Sequence, residues 1–189
     1  MSDNVKELSK QLNEIREKLR AAQRGAAEPV GEYAFATPDG KVELANLFGD
    51  RQDLLFIHNM GKSCPYCTLW ADGFNGLANH LSDRAAFVLG SPDTPKVQRE
   101  FADSRGWRFR MVSYGKGTFA QDMGYESEKP NQYGRFMPGV SAFHKIDDGT
   151  IIRTGHTYFG PFDEFCSVWQ LFDLLNDGVN EWSPKFEYA

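Results

Sequence analysis

Ser63-Cys64-Pro65-Tyr66-Cys67 lies between a short apolar run, Leu54-Leu55-Phe56-Ile57, and a segment with helical periodicity, Thr68 to Leu81. A strand, two cysteines two residues apart and then a helix is the setting in which such a pair reads as a redox dithiol. The attacking species in that chemistry is a thiolate, and the exposed N–H groups and positive dipole end of a helix start stabilise negative charge. Cys64 is expected at that start. Pro65 suits the first helical position, where its missing N–H would have had no partner and its fixed φ is already helical. Lys62 adds a cation two residues upstream. Together these are expected to lower the Cys64 pKa below the free value of ~8.5 and make it the nucleophile. Cys67, one turn further in, is then placed to attack a mixed disulfide and release the reduced product. Tyr66 between them is expected to set access to the sulfur.

Two cysteines at this spacing are also half of a four-cysteine zinc site, but such sites usually need a second pair. Cys166 stands alone, far along the chain. A site of Cys64, Cys67, His58 and one distant residue is the metal alternative. Strand-to-helix context and the proline favour redox use, with no metal and no other cofactor.

At 189 residues the chain fits one elaborated domain, since domains run ~50–250 residues. Hydrophobic residues make up 41% and aromatics 14%, enough for a sizeable core, and the formal net charge is -5. No basic surface calls for nucleic acid or an anionic membrane. Three cysteines are too few for a disulfide framework, and the odd number leaves one unpaired, which points to a reducing compartment. The N-terminus lacks the basic region and apolar run of a secretory signal. No stretch approaches the ~18 uninterrupted apolar residues of a spanning helix. Cytoplasmic residence is the expectation.

Residues 3 to 24 read as a helix, with Val5, Leu8, Leu12, Ile15, Leu19 and Ala22 at alternating steps of three and four. So narrow a stripe is the seam of a two-helix contact. A homodimer through this arm and a helix lying on its own domain are both open. Gly25 to Pro29 reads as a linker, dividing an extension, 1–28, from a domain, 29–189. A hairpin follows over Tyr33 to Leu44, turning at Thr37-Pro38-Asp39-Gly40. Beyond the dithiol helix come a buried strand at Ala86 to Leu89 and a helix capped by Thr94 with Pro95 first. Trp107 to Val112 alternates at period two and reads as an edge strand. Tyr114 to Arg135 shows no clear period and reads as a lid or binding loop. Val140 to Ile146 and Thr150 to Tyr158 form a second hairpin. Cys166 to Leu175 reads as a final helix, apolar around most of its circumference and so expected to be buried, with Cys166 as a packing residue. The aromatic tail from Trp182 to Tyr188 is expected to dock on the protein or a partner.

Strands alternating with helices, closed by a hairpin, predict an α/β fold with a mixed sheet covered on both faces. The order resembles the thioredoxin fold, with the leading hairpin and Asp147-Asp148-Gly149-Thr150-Ile151 similar to its peroxiredoxin-like branch. Cys64-Pro65-Tyr66-Cys67 is also the tetrapeptide of many glutaredoxins. At the level of whole segments the chain resembles the bacterial family catalogued as domain of unknown function 899. The resemblance runs from Tyr33 to Tyr188, through Phe35 to Phe48, His58 to Phe74 around the dithiol, Asp163 to Phe172 and Trp182 to Lys185. It implies a thioredoxin-like fold and a predicted dithiol-disulfide oxidoreductase. The expected partner is a disulfide-containing protein or a small thiol, the alternative being a non-catalytic binding module whose cysteines are structural or metal-bound.

Thioredoxins carry a buried acid six residues before the first cysteine, and here that spacing falls on His58. A histidine there is expected to accept a proton from Cys67 or to stabilise a thiolate as a cation, against the alternative of a core histidine. The counterpart of the thioredoxin cis proline is expected near Met137-Pro138, with Gly139 and Val140 as rivals. Tyr125 and Tyr133 are expected to form a substrate-side wall. Typical peroxiredoxins carry Pro-x-x-x-Thr-x-x-Cys, which matches neither cysteine: counting back gives Gly61 and Ile57 from Cys64, and Cys64 and Met60 from Cys67.

Overall fold

A computed structural model of the protein describes residues 2–24, 27–131 and 134–188. In chain order the elements are α1 (Asp3–Arg24), β1 (Glu28–Pro29), β2 (Ala34–Thr37), β3 (Gly40–Glu43), α2 (Leu44–Leu47) and β4 (Asp53–His58). Then come α3 (Pro65–Arg84), β5 (Ala86–Ser91), α4 (Pro95–Arg105), β6 (Arg110–Ser113) and α5 (Phe119–Asp122). The chain ends with β7 (Glu126–Asn131), β8 (Gly134–Phe136), β9 (Gly139–Lys145), β10 (Ile151–Tyr158) and α6 (Ser167–Phe172). Eight strands form one mixed sheet in the order β1-β10-β9-β4-β5-β6-β2-β3, and β7 with β8 form a separate pair.

The apolar run of β4 makes it the central strand, parallel to β5 and antiparallel to β9. A strand covered on both faces has no need to alternate polar residues. Parallel connections cross over with one hand, so α3 and α4 cover the same face. On that face Ile57, Phe87 and Leu89 pack with Trp70, Ala71 and Phe74 of α3, Ala102 of α4 and Trp169 of α6. The other face of the sheet, from Leu54, Phe56, Val88, Val112 and Phe143, packs against Leu44 and Leu47 of α2 and Phe119 and Ala120 of α5. Helices therefore cover both faces, as expected.

Helix boundaries follow local chemistry. Thr94 Oγ1 accepts the Val97 N–H at 3.5 Å, Pro95 opens α4, and Gly106 closes it at φ 67°, a left-handed cap that glycine adopts without a Cβ clash. α3 runs unbroken through Gly73 and Gly76.

Four expectations are corrected. β6 is an interior strand between β5 and β2, because the leading hairpin folds back and pairs Ala36 with Ser113 at its end. The first part of the region read as a lid or binding loop, 114–125, is core: Phe119, Ala120 and Tyr125 are fully buried and close the core under β4 and β9. The last helix is only Ser167–Phe172, closed by Asp173, whose N–H donates back to Trp169 O, and Leu171, Leu174 and Leu175 are exposed. The linker predicted over Gly25–Pro29 ends in β1, whose Glu28 pairs in register with Arg153 and forms an ion pair with it. The tail docks on the protein itself, Trp182 against Phe172 and Trp169, and Phe186 against Phe101.

Candidate active site

The dithiol stands where β4 leaves the sheet and α3 begins. Asn59 shapes the connecting loop: its N–H donates to Gly90 O at 2.9 Å, and its Oδ1 accepts the Gly61 N–H at 2.8 Å. Gly61 sits at φ 105° with the Asp93 carboxylate so near that a Cβ would lie 2.9 Å from Oδ2. The same carboxylate accepts the Lys62 N–H at 2.7 Å. Tyr114, buried beneath, donates its phenol to Asn59 O at 2.7 Å. This loop is tied to the ends of the parallel strands β5 and β6, the edge of an α/β sheet where ligands gather.

Cys64 is the N-cap of α3, and Pro65 holds its first position. Cys64 Sγ accepts the Cys67 N–H at 3.1 Å, so the sulfur takes the place of the oxygen that usually caps a helix. The nearby Cys67 thiol holds the Cys64 pKa below the ordinary cysteine range, the N–H groups of Cys67 and Tyr66 add to the effect, and burial opposes it. Cys67 is shifted the other way, well above that range, chiefly by burial and then by the adjoining Cys64 sulfur. Its Sγ accepts the Met60 N–H at 3.4 Å. One sulfur is thus favoured as thiolate and the other as thiol. Both are free and buried, Cys64 at 8% exposure and Cys67 at 2%.

The supporting residues divide. Tyr66 lies over the dithiol end of α3, its ring 6.2 Å from Trp169 and 6.3 Å from Trp70. Lys62 engages the loop through its backbone, its residue is exposed, and its ammonium is not among the causes of the Cys64 shift. The cationic assistance expected of Lys62 is corrected to stabilisation by the Cys67 thiol, to which the N–H groups of Cys67 and Tyr66 add.

His58 is corrected as well. Strand alternation turns it toward the face of Leu54 and Phe56, away from the face holding the cysteines. Its Nε2 lies 2.9 Å from Ser141 Oγ, and its ring stacks on Tyr125 with centroids 3.6 Å apart. Burial, followed by the charges of Arg153 and His156, lowers its pKa well below the usual value. A neutral core imidazole results, with no cation to offer a thiolate.

Tyr125 forms no outer wall: it is fully buried, donates to Val140 O at 2.8 Å, and burial pushes its phenol up to about 12. Tyr133 lies outside the described residues. Pro138 sits immediately before β9, whose Gly139 pairs with His58 at the end of β4, so the topology places it beside the dithiol loop. Its peptide bond is trans. Pro138 O accepts the Phe159 N–H, and Met137 N–H donates to Tyr125 O, both at 2.8 Å.

The aromatic residues that pack on Tyr66 come instead from α6 and the segment leading into it. Phe162, 60% exposed and at φ 73°, packs 5.4 Å from Trp169, which in turn underlies Tyr66. A bulky residue held at positive φ marks a position fixed by its surroundings. The signal available in sequence was the aromatic density of Phe159 to Trp169. Asn59 and Asp93, also missed, announced themselves only as a strand end and a turn.

The central strand, the cysteine pair at the following helix start and the antiparallel β9–β10 hairpin together make a thioredoxin-like fold of the peroxiredoxin-like branch. The chain belongs to the bacterial protein family of unknown function DUF899, whose model matches residues 4–188. Among solved structures it is similar to peroxidoxin BcpB from Mycobacterium tuberculosis, at 22% identity over 66% of this chain and 80% of that one, with a TM-score of 0.53. Peroxiredoxin Q from Xylella fastidiosa aligns at 14% identity over 70% and 84%, TM-score 0.58. Reduced Prx3 from Vibrio vulnificus aligns at 16% identity over 75% and 92%, TM-score 0.58. Likeness at these identities establishes the fold. No curated protein matches the sequence. No helix among the described residues is long and apolar enough to cross a membrane.

Proposed function

We propose that the protein is a thiol-disulfide oxidoreductase working through Cys64 and Cys67. The observation that carries this is the opposite setting of the two sulfurs at one helix start, Cys64 accepting the Cys67 N–H while burial keeps Cys67 protonated. The Cys64 thiolate attacks one sulfur of a substrate disulfide, and the other sulfur leaves as a thiolate. Cys67 then loses its proton and attacks Cys64 Sγ, releasing the second substrate sulfur and closing a Cys64–Cys67 disulfide. Two electrons pass from protein to substrate, and an external thiol returns them. Substrates on this reading are a disulfide-bearing protein or a small disulfide in a reducing compartment such as the cytoplasm.

The test is reduction of bis(2-hydroxyethyl) disulfide with equilibration of the protein in glutathione buffers. A reversible two-electron transition, loss of turnover in Cys64→Ser and a trapped mixed disulfide in Cys67→Ser are expected. Retained turnover in Cys64→Ser overturns the assignment. Thiols that never oxidise, or that are freed only by a chelator, move it to the structural or metal-bound alternative.

A further inference from the structure

α1 offers the domain a polar side and leaves its apolar side open. Arg16 and Gln23 are the half-buried residues of the helix, and Arg16 forms an ion pair with Glu164 at 2.5 Å. Arg20 and Gln23 line one wall of a cavity of about 450 Å³, with Leu55, Val140 and Ala142 of the sheet opposite. The stripe is solvent-facing along its length: Val5 is 45% exposed, Leu8 55%, Leu12 47%, Ile15 61% and Leu19 56%.

We propose that this stripe is the contact between two copies of the chain, α1 packing antiparallel on α1 about a twofold axis. A seam with steps of three and four accepts knobs from another such seam, and a second copy supplies one. Laid antiparallel about the helix midpoint, the stripe closes in apolar layers throughout: Val5 on Ala22 of the other copy, Leu8 on Leu19, and Leu12 on Ile15.

Charge selects this orientation. The first half of α1 balances Asp3 and Glu7 against Lys6 and Lys10, whereas the second sets Glu14 and Glu17 against Arg16, Lys18, Arg20 and Arg24. Parallel helices would bring the two basic halves together. Antiparallel ones place each basic half on a neutral half and oppose the helix dipoles.

The interface is small. A helix of 22 residues is ~33 Å long and ~10 Å wide, so its footprint is well below the ~800 Å² per partner of a standard interface. The dimer is therefore concentration-dependent. Sedimentation velocity on the full chain from about 1 to about 100 µM is expected to show monomer passing to dimer. Leu12→Glu should shift the midpoint at least about tenfold upward, with unchanged circular dichroism and thermal midpoint because the side chain is exposed. Asn13→Gln, uncharged, exposed and off the stripe, should leave it unmoved. Leu12→Glu combined with Ile15→Lys faces opposite charges across the antiparallel layer and should restore much of the association. A chain that stays monomeric throughout, or a Leu12→Glu dimer as tight as the parent, overturns the proposal; a double variant no tighter than Leu12→Glu overturns the antiparallel layering. None of these readouts depends on thiol chemistry.

Discussion

The two faces of the central strand bury polar groups in opposite ways. On one, His58 is enclosed by Phe56, Phe119 and Tyr125, with Ser141 at its Nε2. On the other, two thiols are also buried, Cys64 less deeply than His58, and backbone N–H groups converge on them, from Cys67 to Cys64 and from Met60 to Cys67. Burial alone drives an ionisable group toward its neutral form. At Cys64, on the helix start, the Cys67 thiol and the inward N–H groups outweigh burial, whereas Cys67, one turn further in, is driven toward its neutral form as His58 is. The surroundings of an ionisable group at this strand thus depend on which face its side chain enters more than on its distance along the sequence from Cys64.

The largest expected effect is on the face without thiols. Phe56 is fully buried and packs on Phe35, Tyr114 and Phe119. Phe56→Ala should cost about 3–5 kcal/mol of stability, read as a lowered denaturant midpoint, while the pH inflection for Cys64 alkylation stays where it was. If that inflection moves with stability, the faces are not independent and the contrast fails.

His58 gives the next effect, with a definite sign. Its folded pKa is depressed, so below ~6.5 the unfolded chain binds a proton that the folded one refuses. Stability then falls as pH falls, by up to about 1.4 kcal/mol per pH unit for one proton. His58→Gln removes this contribution, so the stability difference between parent and variant should shrink toward acid. A difference constant from pH 7 to 5 would mean that His58 titrates normally and that its face is open to water.

What was legible beforehand follows the same division. Cys64, Pro65 and the apolar run before them obey local rules of strand, cap and helix start, and the structure puts each where those rules say. The face taken by His58 was half-written in its parity with Leu54 and Phe56, but which face α3 would cover is a tertiary fact that spacing from Cys64 does not contain. Tyr125 read as an exposed loop residue because its neighbours are polar; long-range packing under β9 buries it. Trp169 reaches Tyr66, and Phe162 packs on Trp169, only once α6 has folded back across α3, a contact spanning about a hundred residues.

Smaller effects separate the two sulfurs. Iodoacetamide should modify Cys64 with a rate inflecting below the free-thiol value of ~8.5, whereas Cys67, raised by burial, should react only after denaturation. Peptide mapping by mass spectrometry distinguishes them, and equal labelling in the native protein would erase the asymmetry on which the proposed chemistry rests.

The smallest effect is the most discriminating. If the Cys67 thiol and the backbone N–H groups stabilise the Cys64 thiolate, the Lys62 ammonium, exposed and screened by water, contributes little. Lys62→Gln should therefore move the alkylation inflection by less than ~0.3 pH units, the scale expected of one screened surface charge, and leave turnover within about twofold. A shift of a full unit would restore the cation to the role its sequence position first gave it. The stabilisation would then belong to a side chain that substitution can remove, and the distinction between the two faces would reduce to the presence of one lysine.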